Sequence, residues 1–432
     1  MSHSGALTPK AWRCPPLSTS SPRGIMSTRY LILRANANIE KSVDLSSPAA
    51  WHRSRGGATQ LSIAIESGRE HDAGSLRADP KNAAVLDADA VFSLVRPKAQ
   101  ASLQATALDG ALKTSGALKM PQGLIAVGAH ATNFTGQGVR VAVLDTGIDR
   151  THPAFAGKDI TSRDFTGEGS SPEDVSDYDG HGTHCAGTIC GASVDGIRVG
   201  VAPGVTKIAV GKVLGTNGGS LEMLLKGMLW AVFEQKADVV SMSLGYDLPG
   251  NVQRLIDRGM DARRASYAAM QLQNDIIKGV SKLRGFLESQ AKNVVFVAAT
   301  GNESDRAAGV VLGAGLPASE LFGVGAVGPT DATGDKWKIA DFSNGRALVV
   351  APGVDVVSAA VDGGWATMSG TSMATPHVAG VAALWVHKLR EAGMLNIPGT
   401  VEAELRKSTT RAPLVDNDLD AIGTGLIQAP AN

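Results

Sequence analysis

From Gly138 onward the chain alternates short apolar runs with longer stretches of helical period. The runs "VRVAVLD", "KIAVGKVL", "DVVSMSL", "NVVFVAAT", "LFGVGAV" and "ALVVAPG" are rich in Val and Ala and apolar at consecutive positions. Such runs suit strands buried on both faces, whereas half-exposed strands alternate apolar with polar. Between several of them lie helical patterns such as "SLEMLLKGMLWAVFEQ". The pattern predicts an α/β fold, a mostly parallel sheet with helices on both faces. Residues 250–291 read as an amphipathic helical stretch, two helices with a solvated charged face. Residues 26–100 carry shorter runs ("RYLILRA", "TQLSIAIE", "AVFSLVR") between polar turns, a small α+β pattern. Residues 101–120, with small and scattered apolar side chains, read as a weakly structured linker. Residues 1–25 are Ser/Pro-rich, either a disordered tail or an over-long start.

Composition changes this picture little. The 432 residues, 43% of them apolar, predict one large domain and a smaller one. Lys plus Arg equals Asp plus Glu at 41 each, so no charge excess points to nucleic acid or an anionic membrane as partner. Cys14, Cys185 and Cys190 form neither a disulfide framework nor a zinc-ligand spacing. No segment has the apolar length of a membrane helix, and the first residues lack the apolar run of a signal peptide. The expected location is cytoplasmic or undetermined.

Candidate chemistry sits where strands end and helices begin. "VAVLDTGID" puts Asp145 directly after a buried strand, "DGHGTHCAGTI" puts His181 and His184 at a helix entry, and "SGTSMATPHVAG" puts Ser372 at another. Alone, each is commonly a cap or a structural residue. Together they supply an acid, a base and a nucleophile in the order Asp, His, Ser. These segments resemble the signatures of the subtilisin-like serine proteases, the subtilases, over most of residues 120–390. Subtilisin is itself the standard example of this order and of an oxyanion-binding asparagine.

The resemblance implies a serine endopeptidase that acts on protein or peptide substrates. His181 would take the proton of Ser372 and pass it to the leaving amine, while Asp145 holds the imidazole tautomer. Asn302, in "VVFVAATGNES", would donate to the oxyanion, and Gly370 would give the substrate carbonyl room. Gly218, Gly219 and Ser220 on one side, and Ser243, Leu244 and Gly245 on the other, would bind substrate main chain as strands. Leu221 and Leu224 fall at an apolar pocket upstream of the cut, with core packing a competing role for Leu224. Glu303 is either a selector of basic residues at the primary pocket or a solvated surface acid.

Several positions depart from the family pattern. Ala154 and Val194 stand where many relatives have calcium ligands, so structural calcium is in doubt and no metal is assigned. Cys185 resembles the free cysteine beneath the histidine in the proteinase K branch, or is a small buried hydrophobe. His184 and His377 are expected to be structural. The helical insertion near 250–280 is either a lid or partner surface, or an excursion without function. Residues 26–100 resemble a subtilase pro-domain, an intramolecular inhibitor and chaperone, with self-cleavage expected in the 101–120 linker. A permanent accessory domain is the other reading. The catalytic domain then spans 121–432. A peptide-binding pseudoprotease is the rival from another class, disfavoured because all four site residues are present. A nucleotide-binding α/β protein ranks last, since no Gly-rich phosphate loop follows the first strand.

Overall fold

The computed structural model describes residues 28–36, 60–68, 72–79, 82–102, 108, 111–115, 118–290 and 293–432. The Ser/Pro-rich residues 1–25, expected as a tail or over-long start, lie outside them. A ten-stranded sheet forms the centre. Its strands run in the order Thr409–Thr410, Leu426–Ile427, Val349–Pro352, Phe322–Pro329, Val295–Ala299, Val239–Met242, Arg140–Asp145, Lys207–Lys212, Asp159–Asp164, with Trp337–Ile339 beside Phe322–Pro329. All pairs are parallel except the two made by Thr409–Thr410 and Trp337–Ile339.

Unbroken apolar strands are needed because both faces are covered. Val141 and Val143 join a buried cluster with Ala186, Ile189, Val378 and Ala382 from the helices His181–Cys190 and Thr371–Glu391. Their neighbours Ala142 and Leu144 point the other way, into a cluster with Leu225, Ile276 and Val280 from the helices Leu221–Leu229 and Ala262–Gln290. Consecutive residues thus serve two cores, as the pleat requires.

The stretch 250–291 does form two helices, Leu248–Asp257 and Ala262–Gln290. Their apolar stripe is covered by the N-terminal region. There, Gln60–Gly68, Thr28–Asn36 and Asn82–Asp87 make an antiparallel sheet. Leu31, Leu33 and Leu86 face the same core as Ile276, Val280 and Leu283, while Tyr30, Ile32 and Val85 pack with Leu76 of the short helix Asp72–Ala78 on the opposite face. The contact is close: a Cβ on Gly279 would stand 2.5 Å from Leu86 Cδ1. Arg254–Asp87, Arg77–Asp275 and Arg29 with Asp89 and Glu222 frame it with ion pairs.

The expected linker 101–120 differs from the pattern's reading. Ala99–Ser102 pairs with Trp365–Ser369, and Leu112–Ser115 pairs antiparallel with Leu118–Pro121. Main-chain pairing, to which apolar content is blind, builds these strands.

Candidate active site

The parallel sheet brings the three junctions together at the carboxyl ends of its strands, where α/β folds place their sites. Asp145 ends the strand Arg140–Asp145, and His181 and Ser372 stand in the first turns of their helices. Asp145, His181, Ser372 and Asn302 are all buried. His181 Nδ1 lies 2.8 Å from Asp145 Oδ1, and that oxygen also accepts the Thr146 N–H at 2.8 Å. Burial works against a charged imidazole, but the Asp145 carboxylate outweighs it and raises the His181 pKa well above its usual value. His181 Nε2 is buried without a hydrogen-bond partner. An unpartnered ring nitrogen is suited to take a proton once the imidazole is neutral, above its raised pKa.

Cys185 lies under this group. Its Sγ is 3.8 Å from His181 Nδ1, 3.7 Å from Ser243 Oγ and 3.5 Å from the Ser372 carbonyl. Burial pushes its thiol pKa up, so it stays a neutral packing group. Burial also lowers His184 to about 3 and His377 to about 4, so both stay neutral. His184 Nε2 meets the Val356 carbonyl at 2.9 Å, and His377 Nδ1 the Met373 carbonyl at 2.9 Å. These are structural contacts.

The cleft is occupied by the chain's own residues. Val91–Leu94 lies as an antiparallel strand between Gly219–Ser220 and Leu244–Tyr246. Phe92 is buried with Leu221 and Leu224 and meets Tyr246 edge-on at 5.9 Å. Val95 N–H donates to the Ser243 carbonyl at 3.3 Å, and its side chain faces Gly245. The Ser372 hydroxyl donates to the Val95 carbonyl at 2.6 Å, whereas Asn302 Nδ2 donates to the next carbonyl, that of Arg96, at 2.8 Å. Asn302 Oδ1 is held by the Thr371 N–H and hydroxyl, each at 2.9 Å. A Cβ on Gly370 would sit 2.9 Å from Asn302 Nδ2, so only glycine leaves this approach open. Beyond the serine, Lys98 N–H donates to the Ser369 carbonyl at 2.7 Å and the chain continues as the strand Ala99–Ser102.

The family model described as the subtilase family matches residues 136–423. The chain belongs to the subtilase family. It is 37% identical to an intracellular serine protease of Paenibacillus polymyxa over 62% of this chain and 72% of that protein. It is 31% identical to the M-protease of Shouchella clausii over 83% of this chain and 78% of that one. Among solved structures, a cold-adapted subtilisin-like serine proteinase aligns with TM-score 0.50 at 30% identity, covering 72% of this chain and 98% of its own. This subtilase is therefore a serine endopeptidase. No described helix is long and apolar enough to cross a membrane.

The predicted substrate-binding residues of this subtilase come together around one strand, with Glu303 apart from them. Its carboxylate accepts from Asn344 Nδ2 at 2.7 Å, and it is exposed. Sequence reasoning missed Val95 and Arg96, whose only signal was the apolar run "AVFSLVR". It also missed Asn251 and Arg254, which looked like two more polar residues of a solvated helix face.

Proposed function

We propose that Asp145, His181 and Ser372 form the catalytic triad of this subtilase and that the enzyme is made as a self-processing precursor. The observation that carries this is a serine hydroxyl on a peptide carbonyl, with Cys185 Sγ touching both the Ser372 carbonyl, at 3.5 Å, and the buried histidine–aspartate pair, at 3.8 Å from His181 Nδ1. In its neutral form, reached above its raised pKa, His181 Nε2 takes the Ser372 proton as Oγ attacks the carbonyl carbon. Asp145 keeps the proton on Nδ1 and stabilises the imidazolium. Once serine and asparagine meet the same carbonyl, Asn302 Nδ2 and the amino end of the helix Thr371–Glu391 stabilise the developing oxyanion. His181 then gives its proton to the leaving amine, and water repeats the sequence on the acyl-enzyme.

The N-terminal region acts as intramolecular inhibitor. Residues 91–96 fill the substrate strand position, but serine and oxyanion donor address consecutive carbonyls, those of Val95 and Arg96. A productive pose needs both on one carbonyl, so the bound segment is held uncut until it shifts. Strand register and the Val95 side chain favour cutting after Val95, upstream of the expected 101–120 stretch. Calcium has no step in this scheme. Ala154 and Val194 offer no side-chain oxygen, and the Ala154 carbonyl already accepts the Ala192 N–H at 2.8 Å.

Intact mass of wild type beside Ser372→Ala, with and without a fluorophosphonate, tests both parts. The expected result is loss of about 10 kDa, at ordinary residue masses, together with labelling, both absent in the variant. Labelling without mass loss would remove the precursor reading. A folded wild type that neither labels nor cleaves any peptide would favour a peptide-binding pseudoprotease.

A further inference from the structure

The first turn of the inserted helix Leu248–Asp257 touches the cleft strand through its main chain. Asn251 is fully buried, although its helix is otherwise mostly exposed or half-exposed. Its Oδ1 accepts the Val91 N–H at 3.0 Å and its Nδ2 donates to the Val91 carbonyl at 2.9 Å. Nδ2 also donates to the Asp247 carbonyl at 2.8 Å, and the Asp247 N–H reaches the same Val91 carbonyl at 3.1 Å. Arg254 Nη2 donates to Asn251 Oδ1 at 3.3 Å and to Asp87 at 2.8 Å, which fixes which way the amide faces. A primary amide that meets both main-chain groups of one residue imitates a neighbouring strand where the strand Leu244–Tyr246 has ended. It reads no side chain.

We propose that Asn251 forms a further substrate subsite of this protease, one that takes the peptide main chain of the fifth residue upstream of the cut. The inference rests on the reading above that Val91–Val95 lies as a substrate does, with Val95 first upstream. The inserted helices then extend the cleft by one residue beyond the two strands that flank it.

The test is kcat/KM for three fluorogenic peptides, using the active form that the full chain reaches in solution. One has four residues ahead of the cut and a sulfonyl cap, so no carbonyl replaces the fifth residue. The second adds an acetylated fifth residue, and the third carries that residue N-methylated. Two main-chain hydrogen bonds predict a gain of about tenfold on extension, and N-methylation should remove several-fold of it. Asn251→Leu should reduce the extension gain to below about twofold, and Asn251→Asp, which keeps an acceptor, should retain part of it. Should the buried substitutions prevent folding, the N-methyl comparison on wild type decides alone. A wild type that cleaves all three peptides equally overturns the subsite. A wild type that cleaves none strikes the protease reading instead. In that case amide exchange at Val91 in the uncut Ser372→Ala chain decides: slow exchange made fast by Asn251→Leu upholds the contact, and fast exchange throughout overturns it.

Discussion

The helices Thr371–Glu391 and Ala262–Gln290 are both long, yet they are built for opposite purposes. The first is buried almost all round, with small residues such as Ala374, Ala379 and Gly380 letting sheet and helix approach, and Ser372 in its first turn. The second is amphipathic, with Ile276, Val280 and Leu283 in the core and Tyr267 and Met270 exposed at 66% and 55%. One helix is locked into the permanent core and aims the chemistry. The other offers an apolar stripe to a region whose strand enters the cleft. The difference teaches that the candidate nucleophile is held by burial all round its helix, whereas the N-terminal region is held by a single apolar stripe, which suits the release that the proposed precursor requires.

Substitutions sharpen this contrast. On the buried side, Ser372→Ala should lower kcat by about 10⁶-fold, the size known for subtilisin itself, read with a fluorogenic peptide. Asn302→Leu should cost about 10²–10³ in kcat, again the subtilisin magnitude, with KM little changed. If KM rises instead, Asn302 binds ground state rather than oxyanion. On the detachable side, Phe92→Ala should weaken docking of the N-terminal region by about 3 kcal/mol. A gel time course should then show faster self-processing, and an unchanged rate would mean that Phe92 does not hold the segment.

The pH dependence follows from His181. Its folded-state pKa is raised above the unfolded value, so its contribution to stability is full below about 6.5. That contribution is lost as pH rises through the folded value. Urea midpoints of the uncut Ser372→Ala chain should therefore fall from pH 6 towards alkaline pH, and Asp145→Asn in the same background should flatten the fall. A flat profile in both would mean that the carboxylate does not hold the proton. The smallest effect is expected at Tyr267→Ser, within about 0.5 kcal/mol for an exposed site. A larger loss would show that the outer face of the helix is covered in solution.

Much of the site was legible because its residues carry their own local reasons. Asp145 follows a run apolar at consecutive positions, and His181 and Ser372 begin helices; each position is a strand end or helix start that pattern can find. Asn302 needed the family likeness, since Gly-Asn by itself reads as a turn. The strands at 99–102 and 112–121 were not legible. Their large apolar residues, Leu112, Leu118 and Met120, are scattered among polar and small ones, and the ladders that order them, to Trp365–Ser369 and between Leu112–Ser115 and Leu118–Pro121, are made by main-chain groups common to every residue. Asn251 was invisible for a related reason: nothing near it in the chain distinguishes it from Asn274 on the neighbouring helix.

By itself the pattern of the sequence determined the sheet, the two covering layers and three candidate residues at their junctions, Asp145, His181 and Ser372, because periodicity and helix starts are properties of neighbouring positions. Only the tertiary structure decided that residues 91–96 lie in the cleft, that Ser372 and Asn302 meet different carbonyls, and that the helix Leu248–Asp257 pairs with the strand through Asn251. Each of these is a contact between residues far apart in the chain: Val95 with Ser372, Arg96 with Asn302, Val91 with Asn251. Hydrogen bonds to a main chain leave no mark on which side chain is chosen, so such contacts become readable only when the chain has closed on itself.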